Sequence, residues 1–177
     1  MPALPTPNAD FYAVDRDATA AEFLAAAKVY GRAVVDAHDL SADVSTLDWE
    51  VSKRAKRRAG AVQYRDGDPQ TVSLTFEHFR ERGWTAAAAV VRHELIHVHR
   101  LNEADDPTHG DAFRELAAEL RTPVHYERFA DPDWWVVCED CGTELARYRK
   151  SKLVKQPDAY RCRDCGGPLS VREAEAE

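Results

Sequence analysis

Residues 90–100 read VVRHELIHVHR, and the fold turns on whether this stretch is a helix buried on nearly all sides. At 100° per residue, Val90, Val91, Leu95, Ile96 and Val98 cover most of its circumference, which is the pattern of a helix enclosed by other elements. Thr85 stands where a capping residue belongs, so the helix is expected from about Ala86 to Leu101. The stretch NEADDPTHG, with Pro107 and Gly110, should end it. Within the helix, His93 and His97 lie one turn apart and about 40° round from each other, so both rings can meet one ion. Glu94 sits about 100° from His93, beside the pair but badly placed to ligate, and so free to act on a metal-bound water. His99 lies about 200° from His97 and faces away.

Two histidines and a glutamate in an apolar helix are costly unless something binds them, which favours a metal over a chance occurrence of H-E-x-x-H. A hydrolytic zinc needs a third protein ligand and an open position for water. Asp105, Asp106, His109, Glu115 and Glu119 all lie downstream. His109 precedes Gly110 at the turn into a further helix, expected from about Asp111 to Arg121, and a chain reversing there would carry its ring back to the metal. A glutamate ligand is the alternative. The longer H-E-x-x-H-x-x-G-x-x-H pattern is absent, since Arg100 and Glu103 occupy its glycine and last histidine.

Outward from this helix, Thr19 and Glu22 form an S/T-x-x-E capping box before Phe23, Leu24, Ala27, Tyr30, Val34 and Val35, which recur at helical spacing to about Ala37. Between Trp49 and Phe79, AGAVQYR and TVSLTF flank the turn signal DGDP and predict a hairpin within a small antiparallel sheet. Four cysteines, Cys138, Cys141, Cys162 and Cys165, form two C-x-x-C pairs separated by 20 residues. With no secretion signal, that spacing means a closed structural zinc site before a disulfide. The expected organisation is a loose lead-in over 1–17, an α+β metal-binding domain over 18–130, a zinc ribbon over 131–170 and a disordered tail over 171–177.

The 177 residues carry a net charge of −7, which argues against a protein that coats nucleic acid with its whole surface. Local charge differs. Arg147, Arg149, Lys150, Lys152, Lys155, Arg161 and Arg163 face one acidic residue, Asp158, in the stretch between the knuckles, and Tyr148 and Tyr160 are interleaved. Basic side chains with stacking platforms suit single-stranded or irregular nucleic acid, so Arg147, Arg149, Lys150, Lys152, Lys155 and Tyr160 are candidate contacts. A second basic cluster, Lys53, Arg54, Lys56, Arg57 and Arg58, precedes the hairpin. MPALPTPNAD lacks the features of a signal peptide, and the longest apolar run, Ala86 to Val91, is far too short for a bilayer. A cytoplasmic protein with no membrane partner is expected.

HELIH, then HG-DAF-RELAAEL, then a two-knuckle cysteine module resemble the SprT-like zinc metalloproteases, which include the Spartan-type enzymes. The segment KRAKRRAGAVQYRDGDPQTVSLTFEHF resembles theirs ahead of the zinc helix, and the likeness spans roughly residues 20–170. It implies a zincin-like α+β core of helices on a small sheet, with His93, His97 and His109 as zinc ligands and Glu94 as the catalytic base. Two zinc ions follow, one catalytic and one structural. On this reading zinc acidifies a water, Glu94 takes its proton and later gives it to the leaving amine, and a peptide carbonyl is attacked. An exposed sheet edge would hold the substrate as an added strand, and His125 and Tyr126 are candidates for the oxyanion donor. The Spartan branch digests proteins crosslinked to DNA, which makes DNA-associated proteins one candidate substrate class. Two rivals stand beside this: a non-catalytic nucleic-acid-binding ribbon adaptor with a vestigial H-E-x-x-H, and a metallohydrolase acting on bonds other than peptides.

Overall fold

A computed structural model describes residues 5–126 and 131–174. The chain divides into two compact units, Met1–Phe129 and Ala130–Glu177. Among the described residues, no helix is long and apolar enough to cross a membrane.

The first unit is built around the H-E-x-x-H helix, α3 (Trp84–Ala104), which is buried along most of its length from Trp84 to Leu101. α1 (Ala20–His38) packs along it, and its start is the expected capping box: Thr19 accepts from the Glu22 N–H at 3.2 Å, and the Glu22 carboxylate accepts from the Thr19 N–H at 2.7 Å. Asp39, in the left-handed region at φ 49°, ends the helix. α1 presses Phe23, Ala27, Tyr30 and Val34 into the core, where the Phe23 ring stacks on Phe79 at 4.3 Å. Gly31 lets α1 approach closely, since a Cβ there would lie 3.3 Å from Trp49 and 3.5 Å from Val91.

The sheet consists of β1 (Asp48–Ser52), β2 (Gly60–Arg65) and β3 (Asp68–Thr75), in the order β1-β3-β2. β2 and β3 form the expected antiparallel hairpin, and Asp66 and Gly67 turn it with φ of 51° and 79°, the pair of positive angles that matches strand twist. β1, however, joins β3 in parallel, so the sheet is mixed. The chain passes from β1 through residues 53–59 to the far side of β3 before turning back. β3 is thereby central, burying Val72 and Leu74, and β2 is left at an edge.

Three local expectations change. The β-prone run before Phe79 stops at Thr75, and Phe76–Arg82 forms a short helix, α2. Thr75 directs its hydroxyl to the Arg58 carbonyl at 2.7 Å, and Phe79 packs on Phe23. Thr85 does not cap α3: Gly83, at φ 81°, lets the chain turn directly from α2 into a helix that begins at Trp84. The N-terminal segment is not a loose lead-in throughout, because Ala9–Tyr12 forms a 3₁₀ turn, the Trp84 indole donates to the Ala9 carbonyl at 2.7 Å, and Tyr12 lies 5.4 Å from the Tyr30 ring. Residues 1–4 lie outside the described residues. α4 (Asp111–Glu119) follows α3 and ends two residues before the expected Arg121.

The second unit is a three-stranded antiparallel sheet of β4 (Trp134–Cys138), β5 (Glu144–Arg147) and β6 (Leu169–Glu173), in the order β5-β4-β6, with a one-turn helix, α5 (Lys152–Lys155). β6 corrects the expected disordered tail from 171: Val171, Arg172 and Glu173 pair with Val136, Trp135 and Trp134. Residues 175–177 lie outside the described residues. The core here is small, with Val136, Cys138, Val154, Cys162 and Leu169 buried.

Replacing Thr19 with Ala removes the side-chain acceptor of the capping box and should cost about 1 kcal/mol. Thermal unfolding of the first unit should shift down by about 3–5 °C, and Thr19→Ser should restore it.

Candidate metal centre

α3 sets His93 and His97 on one face with ring centroids 4.9 Å apart. At its end Asp105 takes a left-handed conformation, φ 50°. The Asp106 carboxylate then accepts from both the N–H and the hydroxyl of Thr108, at 2.9 and 2.6 Å, and pairs with Arg100 at 3.1 Å. This tight turn returns His109 to α3, with its Nε2 3.0 Å from His97 Nε2. One candidate ligand atom from each of His93, His97 and His109 lies within 4.8 Å of the others. Of the acidic alternatives, Asp106 is engaged in the turn and Glu119 pairs with His38 at 3.1 Å. Phe113, which sequence periodicity marks only as an apolar face of α4, forms the floor of the site: its ring lies 4.9, 4.6 and 4.5 Å from the rings of His93, His97 and His109.

The donor set fits a zinc ion. Ligands at tetrahedral angles on Zn–N bonds of about 2.0–2.1 Å stand about 3.3 Å apart, close to the His97–His109 spacing. The His93 Nδ1–H donates to the Pro123 carbonyl at 2.9 Å, which leaves Nε2 as a lone-pair donor. Burial holds the His93 imidazolium pKa down to about 4 and that of His97 to about 3; His109 is also lowered by burial. All three rings are therefore neutral near pH 7, the form a metal requires. Three nitrogen ligands also leave a coordination position for water.

Glu94 is 3% exposed. Loss of hydration raises its carboxyl pKa to about 8, against the pull of the Arg58 guanidinium. Gly60, the first residue of β2, touches it so closely that a Cβ there would lie 2.6 Å from Oε1 and 2.7 Å from Val90. The sequence carries this position only as a glycine before a β-prone run; the need for it comes from the strand crossing over α3. A cleft of about 430 Å³ opens here, lined by β2 from Gly60 to Val62, by Tyr64, and by Glu94 and the three histidines. Arg57, Arg58, His125 and Tyr126 complete its rim. Tyr126 lies 5.1 Å from the His93 ring and shares a 3.1 Å hydrogen bond with Thr122; burial raises its pKa, so the hydroxyl stays protonated. His125 lies 5.1 Å from the His109 ring. His99 points elsewhere, accepting from the Ser41 N–H at 2.9 Å.

In the second unit, Cys138, Cys141, Cys162 and Cys165 converge, each sulfur within 4.8 Å of the others. Cys138 and Cys165 are 3.4 Å apart and Cys141 and Cys162 3.7 Å. These distances are far beyond a disulfide bond of about 2.05 Å and near the spacing of about 3.8 Å that tetrahedral Zn–S bonds of about 2.3 Å would set. Gly142 and Gly166 turn the two knuckles at φ 74° and 77°, sending their N–H groups to the Cys138 and Cys162 carbonyls. The Thr143 hydroxyl and N–H hold the Cys141 thiol down to about 6, towards the thiolate that ligates. Arg147 lies half-buried on β5, while Arg149, Lys150, Lys152, Lys155 and Tyr160 are exposed. The Lys150 ammonium sits 6.0 Å from the Trp134 ring centre.

The model of the SprT-like family matches residues 27–130. A "Protein SprT-like" of Streptococcus suis (strain 05ZYH33) is 32% identical over 126 residues, covering 69% of this chain and 83% of its own. That of Streptococcus sanguinis (strain SK36) is 29% identical over 139 residues, 73% and 91% respectively. That of Bacillus subtilis (strain 168) is 27% identical over 108 residues, 55% and 67%. This chain belongs to the SprT-like family. Residues 27–130, which the family model matches, hold the three histidines and Glu94, and the cysteine cluster lies beyond that span.

A bound cation lowers the pKa of a neighbouring carboxyl, so zinc uptake should expel the Glu94 proton below about pH 8. Affinity at the three-histidine site should rise up to about tenfold per pH unit between pH 6 and 8. In Glu94→Gln that slope should flatten, because His93 and His97 are already neutral. Chelator competition across this range measures it.

Proposed function

We propose that this protein is a zinc-dependent endopeptidase, and the observation that carries the reading is the buried Glu94 beside three convergent imidazoles, on the floor of a cleft walled by a free sheet edge. His93, His97 and His109 would hold the catalytic ion. When bound, zinc supplies a Lewis acid that acidifies water and polarises the scissile carbonyl. Glu94 accepts the proton from water and delivers it to the leaving amine. Desolvation suits this shuttle, since a carboxyl poised near neutrality can both take and give a proton.

β2 lies at the sheet edge beside Glu94, so its main chain can pair with an extended substrate and recognise backbone more than side chains. Gly60 keeps that strand against the carboxylate. His125 and Tyr126, both at the cleft, are the candidates for the oxyanion donor; to act, Tyr126 has to release the hydrogen bond that it donates to Thr122. The four cysteines would hold a second, structural zinc, replacing the hydrophobic core that their unit lacks. Unpaired thiols of this kind belong in a reducing compartment such as the cytoplasm.

Protein or peptide is the substrate, and DNA-associated protein is the class that the ribbon favours, because Arg149, Lys150, Lys152, Lys155 and Tyr160 are all exposed on one small unit. Neutralising Lys150, Lys152 and Lys155 should weaken single-stranded DNA binding and reduce the slope of log affinity against log salt by about 2. Binding that ignores both salt and these substitutions would remove DNA from the proposal.

For the peptidase, Glu94→Gln should lower kcat on an unfolded protein substrate by about 10²–10⁴-fold while two zinc ions per chain are retained. Undiminished cleavage in that variant would overturn the assignment of Glu94. A wild-type protein with two zincs, DNA binding and no cleavage would favour the adaptor.

A further inference from the structure

Arg92 precedes the first candidate ligand and is only 9% exposed, an unfavourable place for a guanidinium unless its donors find acceptors. One terminal nitrogen donates to the Tyr30 hydroxyl of α1 at 2.5 Å, and the other to the Arg121 carbonyl at 3.0 Å. Its Nε has no hydrogen-bond partner among the described residues. Simple packing would be met better by an apolar side chain, so the two bonds that are made point to a task.

That task is visible in residues 121–123, which follow the C-cap of α4 at Leu120. Arg121 occupies the left-handed region at φ 51°, and its carbonyl is held by Arg92. Thr122 donates its hydroxyl to the Ala89 carbonyl at 2.6 Å, the carbonyl that in an α-helix pairs with the N–H of residue 93. Pro123 supplies the carbonyl that accepts from His93 Nδ1 at 2.9 Å. Consecutive residues are thus tied to α3 at Arg92, at Ala89 and at His93 itself. The Thr122 oxygen, its proton given to Ala89, accepts from the Tyr126 hydroxyl at 3.1 Å, so the same clamp also fixes Tyr126 beside the cleft.

We infer that Arg92 and Thr122 are positioning residues, holding the Pro123 carbonyl where it fixes the tautomer and orientation of His93 for metal binding. Neither touches the metal site; both act through the segment 121–123. The inference rests on the reading of His93, His97 and His109 as a metal site. Groups that orient a ligating histidine commonly change metal affinity by ten- to a hundredfold, and that is the effect expected here.

The test uses the full chain and zinc alone, with chelator competition at the three-histidine site and a separate count of the zinc held by the cysteines. Cobalt(II) provides a second readout, since its visible bands report ligand geometry. Thr122→Val should weaken zinc at the histidine site ten- to a hundredfold and alter the cobalt bands, and Thr122→Ser should restore both. Arg92→Met should behave like Thr122→Val. Arg92→Lys should not rescue, because a single ammonium cannot reproduce the two-pronged contact. Val34→Ala, a cavity in the core of α1, should lower the unfolding temperature and leave affinity within twofold. If Arg92→Met fails to fold, the two Thr122 variants decide. Two zincs per wild-type chain with unchanged affinity in Thr122→Val would overturn this inference alone. A wild-type chain that takes up only the cysteine-bound zinc would overturn it together with the metal reading beneath.

Discussion

The desolvation of α3 is the constraint on which the site depends. Helices α1, α2 and α4 and the sheet all pack on it, so the rings of His93 and His97 and the carboxyl of Glu94 are withdrawn from water with few compensating charges. The imidazoles answer by staying neutral and the carboxyl by holding its proton. A site in that condition is complementary to a divalent cation: neutral donors are already presented, and the one acid is ready to ionise when positive charge arrives.

Two short connections turn that helix into a centre. Each begins at a non-glycine residue in the left-handed region, Asp105 after α3 and Arg121 after α4. Such conformations need support from their surroundings. Asp105 is followed by the Asp106–Thr108 turn, which returns His109, and Arg121 is held by Arg92, which precedes the segment that braces His93 and carries Tyr126 to the cleft. The geometry of the candidate site is thus shared between one helix and two turns that hydrogen bonds oblige to come back to it.

The two units solve the stability problem differently. The first buries a continuous aromatic and aliphatic core around Phe23, Tyr30, Phe79 and Trp84, enough to order a site that is itself polar. The hydrophobic core of the second has five buried members among the described residues, two of them cysteines. Too little apolar surface leaves water there for hydrophobic burial alone to order the chain, and the four converging sulfurs are the ligands with which a metal ion would cross-link it.

Periodic and local signals were legible without coordinates: the capping box at Thr19 and Glu22, the DG turn, the helical spacing that aligns His93 with His97 and turns His99 away, and the paired cysteine knuckles. Each depends on residues a few positions apart, whose relation is set by backbone geometry. His109 stood midway, since its place before Gly110 suggested a return but left acidic alternatives open. What escaped the sequence depends on neighbours distant in the chain. β1 joins β3 in parallel because the chain crosses to the far side of β3 first. Helix α2 begins at Phe76 once Thr75 turns its hydroxyl to Arg58, and Trp84 starts α3 because Gly83 can bend. Gly60 and Arg92 carry no signal of their own in the sequence, and Phe113 reads there only as part of an apolar helix face. Their roles arise only where a strand crosses Glu94, where a helix floors three imidazoles, and where a buried guanidinium meets a carbonyl 29 residues away. Spacing along a helix therefore determined which side chains share a face, while tertiary packing decided what desolvates, orients and encloses them.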